Sequence, residues 1–85
     1  MAVYSVQIKK SAAKELESVP KRDREKLIAK IRNLASNPRP DGSEKLAGDD
    51  KYRIRHGVYR VLYEVDDTIV IVTVIRVAHR REVYR

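Results

Sequence analysis

Residues 51–63 read KYRIRHGVYRVLY, and this stretch predicts a β-hairpin with arginines on one face. Apolar and charged residues alternate on both sides of Gly57, which is the pattern of half-buried strands joined by a tight turn. A two-residue loop of His56 and Gly57 would place Arg53 directly opposite Arg60. The sequence pattern of residues 51–63 therefore predicts two paired strands of a sheet, against which the rest of the chain packs.

The arginines of this hairpin are unfavourable for a sheet, because like charges that face each other across a strand pair are destabilising. Arg53 and Arg55 are two residues apart, so they project from the same face about 7 Å from each other. Together with Arg60 they indicate a site for phosphates, since the guanidinium fork matches phosphate oxygens bidentately. The alternative interpretation is a solvated sheet face that happens to be basic.

The segment before the hairpin predicts one strand and two helices. Residues 2–9 alternate and predict a short strand. Ser11 is a plausible N-cap for a first helix, and Pro20 ends or interrupts that helix. A second helix follows, with an apolar stripe on one side, formed by Leu27, Ile28, Ile31, Leu34 and Ala35. A polar connection over residues 37–50 leads to the hairpin.

The C-terminal half predicts three strands, over residues 51–56, 58–65 and 68–77, with the last two joined through Asp66-Asp67. The third is apolar on both faces, so we expect it to be the central strand. The whole chain, residues 1–85, is long enough for one domain. We predict an α+β fold in the order β-α-α-β-β-β, in which an αα-hairpin packs on one face of a small, mainly antiparallel twisted sheet.

Composition favours an anionic partner. Lys and Arg number 19 against 12 Asp and Glu, a formal net charge of +7. Residues 1–50 hold eleven basic and eight acidic residues, whereas residues 51–85 hold eight and four, and seven of those eight are Arg. The chain has no cysteine, which excludes disulfides and a Cys nucleophile. The N-terminus shows no signal peptide. The apolar run over residues 68–77 is too short to span a bilayer. We therefore expect a soluble, cytoplasmic protein without membrane contact.

The chain ends in a charged cluster that follows the third strand, residues 76–85, which read RVAHRREVYR. His79 in this cluster has an unperturbed pKa near neutrality and is a candidate general base or acid. Its alternative interpretation is a surface or helix-cap histidine. Tyr84 is the rival for proton transfer. No metal site is expected, because the paired aspartates Asp49-Asp50 and Asp66-Asp67 fall in predicted connections, where Asp favours turns.

Four blocks of the sequence resemble the RelE family of bacterial and archaeal toxins: Tyr52-Arg53-Ile54-Arg55, residues 57–63, residues 79–84, and Leu46-Ala47-Gly48 before them. The resemblance covers nearly the whole chain and is most specific in the C-terminal half. It implies the toxin of a type II toxin–antitoxin module, an endoribonuclease (mRNA interferase) that cuts messenger RNA in the ribosomal A site. It also implies the absence of any metal or cofactor, and three partners, namely messenger RNA, the ribosome and a cognate antitoxin.

The resemblance implies a role for each of five residues. Arg53 and Arg55 stand where the family has a basic pair that contacts the RNA backbone and assists proton removal. Arg60 matches the arginine that binds the scissile phosphate. Arg80 matches one that steadies charge or protonates the leaving oxygen, and Tyr84 a terminal tyrosine that orients or activates the nucleophile.

Three further basic residues near the chain end are candidates. Arg76 and Arg81 are expected to bind RNA, and His79 falls where family members vary.

The basic pair, Arg53 and Arg55, departs from the Lys of the best-known members. Because Arg is effectively never deprotonated, it is a poor general base. The assignment of general base and acid therefore stays open among His79, Tyr84 and the arginines.

Two other functions fit the same scaffold. One is a ParE-like toxin that poisons DNA gyrase without cutting RNA, although that branch generally lacks the basic pair and the terminal His-Arg. The other is a nucleic-acid-binding module whose arginines only hold the backbone. For any toxin, we expect the antitoxin to lay an acidic, amphipathic segment across the arginines.

Overall fold

A computed structural model describes residues 3–46 and 50–83 of the protein. The secondary structure elements are, in chain order, β1 (Ser5–Ile8), α1 (Lys10–Glu17), α2 (Lys21–Asn33), β2 (Glu44–Lys45), β3 (Lys51–His56), β4 (Tyr59–Asp66), β5 (Ile71–His79) and α3 (Arg80–Val83). The predictions made for Ala47, Gly48, Asp49 and Tyr84 lie outside the described residues.

The five strands form one sheet in the order β1-β5-β4-β3-β2. The pairs β2–β3, β3–β4 and β4–β5 are antiparallel, whereas β1 runs parallel to β5. The predicted α+β fold is confirmed, and the structure adds β2 and α3 to the expected elements. The central strand is β4 rather than β5. β5 is apolar on both faces because it is an inner strand, with a partner on each edge.

One face of the sheet is covered by α1 and α2, and the core lies between them. The core contains Ala12, Leu16, Val19, Leu27, Ile31 and Leu34 from the helices and the turn between them, and Tyr52, Ile54, Val61, Tyr63, Val65, Val72, Val74 and Val77 from the sheet. The alternation along β3 and β4 sends these apolar side chains to the helices and their neighbours to the opposite face. None of the helices in the described ranges is both long and apolar enough to cross a bilayer.

Helix α1 begins earlier than predicted. The Lys9 N–H still donates to Val74 O (2.9 Å), so strand pairing continues to that residue, and the Lys9 carbonyl accepts the first helical bond from Ala13 N (2.9 Å). Lys9 is therefore the N-cap, and the prediction of Ser11 for this role is wrong. Pro20 does not only end the first helix but is itself the N-cap of α2, a place where the missing N–H costs nothing.

The hairpin turn is displaced by one residue from the predicted loop. Gly57 and Val58 form it, with a positive φ of 57° at Gly57, as expected for a turn with glycine at its first central position. Arg55 consequently lies opposite Arg60, and Arg53 lies opposite Leu62. The predicted pairing of Arg53 with Arg60 is wrong, but the two registers differ by two residues, so all three arginines stay on one face.

Strand β5 begins later than residue 68, because the Asp66 side chain holds the preceding turn. Its Oδ1 accepts the N–H groups of Thr68 (2.9 Å) and Ile69 (3.1 Å), and Val70 then takes a left-handed φ of 58°. Further along, the β4–β5 register shifts between Leu62 and Tyr63. The shift is a β-bulge, and it changes which β5 residues share a face with β4.

A polar network ties the connection that precedes β2 to the rest of the fold. Arg39 forms an ion pair with Asp67 (2.7 Å) and donates from Nε to the Tyr52 hydroxyl (2.9 Å). The Tyr4 hydroxyl also donates to Asp67 Oδ1 (2.6 Å). The buried Tyr63 hydroxyl donates to Pro38 O (2.8 Å), and burial raises the pKa of Tyr63 to about 12. These contacts fix the course of the chain into β2.

Asp67 predicts a specific pH dependence of stability. Its hydrogen bond from Arg39, followed by that from Tyr4, lowers its pKa. Its stabilising effect is therefore complete above the unfolded-state pKa and is lost as the pH falls through the lower folded-state pKa. We expect Asp67→Asn to flatten the decline of the urea midpoint between about pH 5 and pH 2. Asp41→Asn, which removes an exposed carboxyl, is the control, and an equal flattening there would contradict the prediction.

Candidate functional site

The arginine face, defined here as the surface formed by Arg53, Arg55 and Arg60, lies on the side of the sheet away from the helices. Arg53 is 8% exposed and Arg60 9%, whereas the Arg55 side chain is about half-exposed. Arg55 and Arg60 are direct cross-strand partners. Burial of a guanidinium is costly unless an anion or hydrogen-bond acceptors surround it. The groups around Arg53 and Arg60 therefore show how much of their charge is already neutralised.

Glu44 provides the negative charge. It lies opposite Arg53 in the β2–β3 register, and Arg53 Nη2 donates to its Oε2 at 2.6 Å. Arg55 Nη2 lies 3.0 Å from the other carboxylate oxygen. The hydrogen bond from Arg53 is the main reason why the pKa of Glu44 is lowered, and the charges of Arg53, Arg55 and Arg60 add to it. The carboxylate is thus held by two guanidinium groups, Arg53 and Arg55, and Arg60 acts on it only through its charge.

Glu44 was missed in the sequence, where residues 37–50 were predicted to form a polar connection. Its strand has only two residues and follows a connection rich in proline and glycine, so no alternation marks it. The only available signal was chemical. Clustered guanidiniums favour a nearby carboxylate, but the sequence offers Glu44, Asp49 and Asp50 before the hairpin and no pattern that selects one of them.

Arg60 has no comparable carboxylate partner among the described residues. Its Nη1 donates to Gly57 O and Tyr59 O at 3.3 Å each, and its Nε is a buried donor without an acceptor in the described part of the chain. The hairpin turn thus orients Arg60 through main-chain carbonyls. Its charge stays available to an anion that approaches the face.

The structure does not bring His79 to the arginine face, contrary to the prediction. His79 pairs with Tyr59, and their rings meet edge to face at 6.0 Å between centroids. Tyr59 packs against the core on the helix side. A small cavity there is bordered by His79 together with Glu15 and Val19. The reason is the β4–β5 register, which places His79 on the opposite side of the sheet from Arg60.

The remaining predicted residues lie at the end of β5. Arg80 begins α3, is exposed, and donates its main-chain N–H to Val58 O (2.7 Å), beside the hairpin turn. Arg81 is also exposed. Arg76 Nε lies 3.4 Å from Glu15 Oε2, and the other oxygen of that carboxylate accepts the Val77 N–H. Arg76 therefore helps to hold α1 against β5.

No three His, Cys, Asp or Glu residues within 3–46 and 50–83 form a group that could hold a metal ion. The chemistry that the arginine face offers is that of positive charge. A fixed pair of guanidiniums on β3 and a third on β4 can stabilise negative charge that develops on a bound group.

Comparison with known proteins identifies the class. The family model described as the ParE toxin of the type II toxin–antitoxin system, parDE, matches residues 6–84. The putative toxin RelE1 of Methanocaldococcus jannaschii is 38% identical over 93% of this chain and 91% of its own. Toxin RelG of Mycobacterium tuberculosis is 31% identical over 96% of this chain and 97% of its own.

A solved structure gives the same result. The archaeal RelE–RelB complex from Pyrococcus horikoshii OT3 contains a chain that is 32% identical, with a TM-score of 0.84 over 96% of this chain and 99% of that one. The fold and the comparisons together define a toxin of the type II toxin–antitoxin class. Within that class the chain belongs to the RelE/ParE family, and the predicted resemblance to RelE is confirmed.

If the arginine face serves binding rather than stability, Arg60→Met should stabilise the protein. The change removes a buried donor without an acceptor in the described ranges and a like charge opposite Arg55, and we expect the free energy of unfolding to rise by about 1 kcal/mol. Urea unfolding measures it, with Arg22→Met on the exposed side of α2 as the control for charge. A loss of stability in Arg60→Met alone would instead assign Arg60 a structural role.

Proposed function

We propose that the protein is a cytoplasmic, ribosome-dependent endoribonuclease that cuts messenger RNA in the A site, with the scissile phosphate bound on the arginine face. The observation that carries the proposal is the pairing of Arg53 and Arg55 with a single anionic group, the Glu44 carboxylate, on the face that also holds Arg60. A phosphate diester has the same charge and offers similar oxygens to the guanidinium forks. The protein belongs to a class of toxins, and cleavage of messenger RNA would harm the cell that makes it.

The proposed reaction is attack of the RNA 2′-hydroxyl on the adjacent phosphorus. The 2′-oxygen loses its proton and forms a bond to phosphorus, the bond from phosphorus to the 5′-oxygen breaks, and that oxygen takes up a proton. The products are a 2′,3′-cyclic phosphate and a 5′-hydroxyl. Negative charge accumulates on the phosphate oxygens in the transition state, and donors fixed in advance around that position lower the barrier.

We assign this charge stabilisation to the arginine face, with Arg60 on the scissile phosphate and Arg53 and Arg55 on the RNA backbone. Arg60 suits the first role because its charge is not engaged by a carboxylate in the described ranges. Arg53 suits the second because burial fixes its position. We propose that Arg81, exposed beside the start of α3, adds backbone contacts. Arg76 contributes to them only if its contact with Glu15 opens.

Proton transfer is assigned to the chain end, to Arg80 at the leaving oxygen and to Tyr84 at the nucleophile. Guanidinium groups are poor general bases. His79 lies on the helix side, so we give it no direct contact with the reacting atoms. Weak general acids and bases suffice if the ribosome holds the 2′-oxygen in line with the bond that breaks, because correct orientation alone lowers the reaction barrier substantially.

We further propose a cognate antitoxin as the partner that covers the arginine face. The Pyrococcus horikoshii relative is a RelE–RelB complex. A groove of about 450 Å³ borders the face, between α2 and β3, and is lined among others by Lys30, Ile54 and Arg55. An acidic, amphipathic segment would place carboxylates on the arginines and apolar side chains in this groove.

A second candidate is inhibition of DNA gyrase, favoured by one observation, the match of the ParE toxin family model. The arginine face favours the nuclease, because guanidiniums held in place on a sheet suit the negative charge that develops on a phosphate during cleavage. The two functions give different damage in the cell, so one experiment separates them.

The test is induced expression in a bacterium, with the 5′ ends of transcripts mapped. We expect cuts within translated frames, and we expect Arg60→Met to reduce them about a hundredfold, the typical effect of losing one donor to transition-state charge. Arg22→Met, with the same change of charge on α2, should cut as the parent does. Intact messages together with double-strand DNA breaks would instead support gyrase as the target.

A further inference from the structure

We propose that Glu44 is an internal competitor for RNA, a carboxylate that occupies the anion site of Arg53 and Arg55 in the free protein and leaves it when a phosphate binds. The identity of the ligand rests on the proposed function. The occupied state of the site rests on the contacts of Glu44 alone.

The geometry of the contact is that of a bound anion. Each carboxylate oxygen of Glu44 meets the Nη2 atom of a different arginine, Arg53 at 2.6 Å and Arg55 at 3.0 Å. Guanidinium groups recognise carboxylate and phosphate with the same forked arrangement of donors. A phosphate bound to these two arginines must therefore take the place of the carboxylate, since both cannot use the same donors without bringing two negative charges together.

The contact is built so that the carboxylate can leave and the arginines stay. The Glu44 side chain is 48% exposed and lies on a two-residue edge strand, so rotation of its side chain takes the carboxylate into solvent. The Arg53 side chain is only 10% exposed and belongs to the six-residue strand β3, which is paired on both edges. Displacement of Glu44 thus leaves a preformed site.

Glu44 also explains how the free protein tolerates its own charge. Arg55 faces Arg60 across the strand pair, which is unfavourable in the absence of an anion. The carboxylate offsets that repulsion, and the lowered pKa of Glu44 keeps it charged while it does so. The same attraction weakens RNA binding, because a phosphate must first separate Glu44 from the two arginines.

The test compares Glu44→Gln with Glu64→Gln. Both raise the formal net charge from +7 to +8, and the two side chains are almost equally exposed, 48% and 47%, each in an ion pair. Glu64 lies on the same side of the sheet, opposite Lys51 and two residues along from the Arg53–Leu62 pair, so this control tests whether the loss of any carboxylate from this side has the same effect. The probe is a fluorescent single-stranded 2′-O-methyl RNA, which lacks the attacking hydroxyl, and its dissociation constant is measured by anisotropy over a range of KCl concentrations.

We expect Glu44→Gln to tighten binding about tenfold at low salt. The log–log slope of the salt dependence should steepen by about 0.7 for each additional phosphate that the variant neutralises. Glu64→Gln should lower the dissociation constant clearly less than Glu44→Gln does, since Glu64 pairs with Lys51 rather than with Arg53 or Arg55 and an exposed ion pair acts weakly. Equal effects of the two variants, or weaker binding by Glu44→Gln, would overturn the inference. Glu44→Asp keeps the charge but shortens the side chain, so intermediate affinity is expected, and it replaces the Gln variant if that fails to fold.

The outcome is separable from that of the proposed function. If transcripts stay intact but Glu44→Gln alone binds the probe more tightly, the competitor is supported and the nuclease is not. If transcripts are cut and Glu44→Gln binds no better than the parent, the nuclease stands and the competitor is overturned.

Discussion

The arrangement of this protein depends on the burial of two guanidinium groups on the outer face of its sheet. Arg53 and Arg60 are more than nine-tenths covered, although arginine is almost never buried without a partner. For Arg53 the partner is Glu44, brought to it by a two-residue strand. For Arg60 the acceptors are two carbonyls of its own hairpin, at 3.3 Å. The positive charge of Arg60 is therefore only partly neutralised by groups in the described part of the chain.

The other face of the sheet makes this arrangement possible. Helices α1 and α2 cover it with an aliphatic core, and the Arg39–Asp67 pair with Tyr4 ties the connection before β2 to the far end of the sheet. Hydrophobic burial on that side stabilises the fold irrespective of what the outer face carries. Like charges can therefore be kept on the outer face at a modest cost in stability, as is common for functional sites.

The strand pattern by itself predicted much of the fold and part of the site. Alternation fixes which residues of one strand share a face, and moving a two-residue loop by one position changes the cross-strand register by two. Arg53, Arg55 and Arg60 were therefore placed together even though the predicted loop was off by one residue. The helical stripe likewise placed Leu27 and Ile31 in the core. The turn itself was mispredicted because two adjacent loops are compatible with the same alternation, and only the pairing of His56 with Tyr59 in the folded sheet distinguishes them.

What the sequence determined alone is a basic sheet face backed by two helices, because residue periodicity is a local property. What only the tertiary structure decided is the set of groups that meet at that face. Glu44 arrives there from an edge strand too short to show a pattern, and His79 is kept away from it by a strand register that depends on a side-chain-stabilised turn and a bulge. Both results depend on the pairing of strands that are separate in the chain, and a local sequence pattern does not specify that pairing.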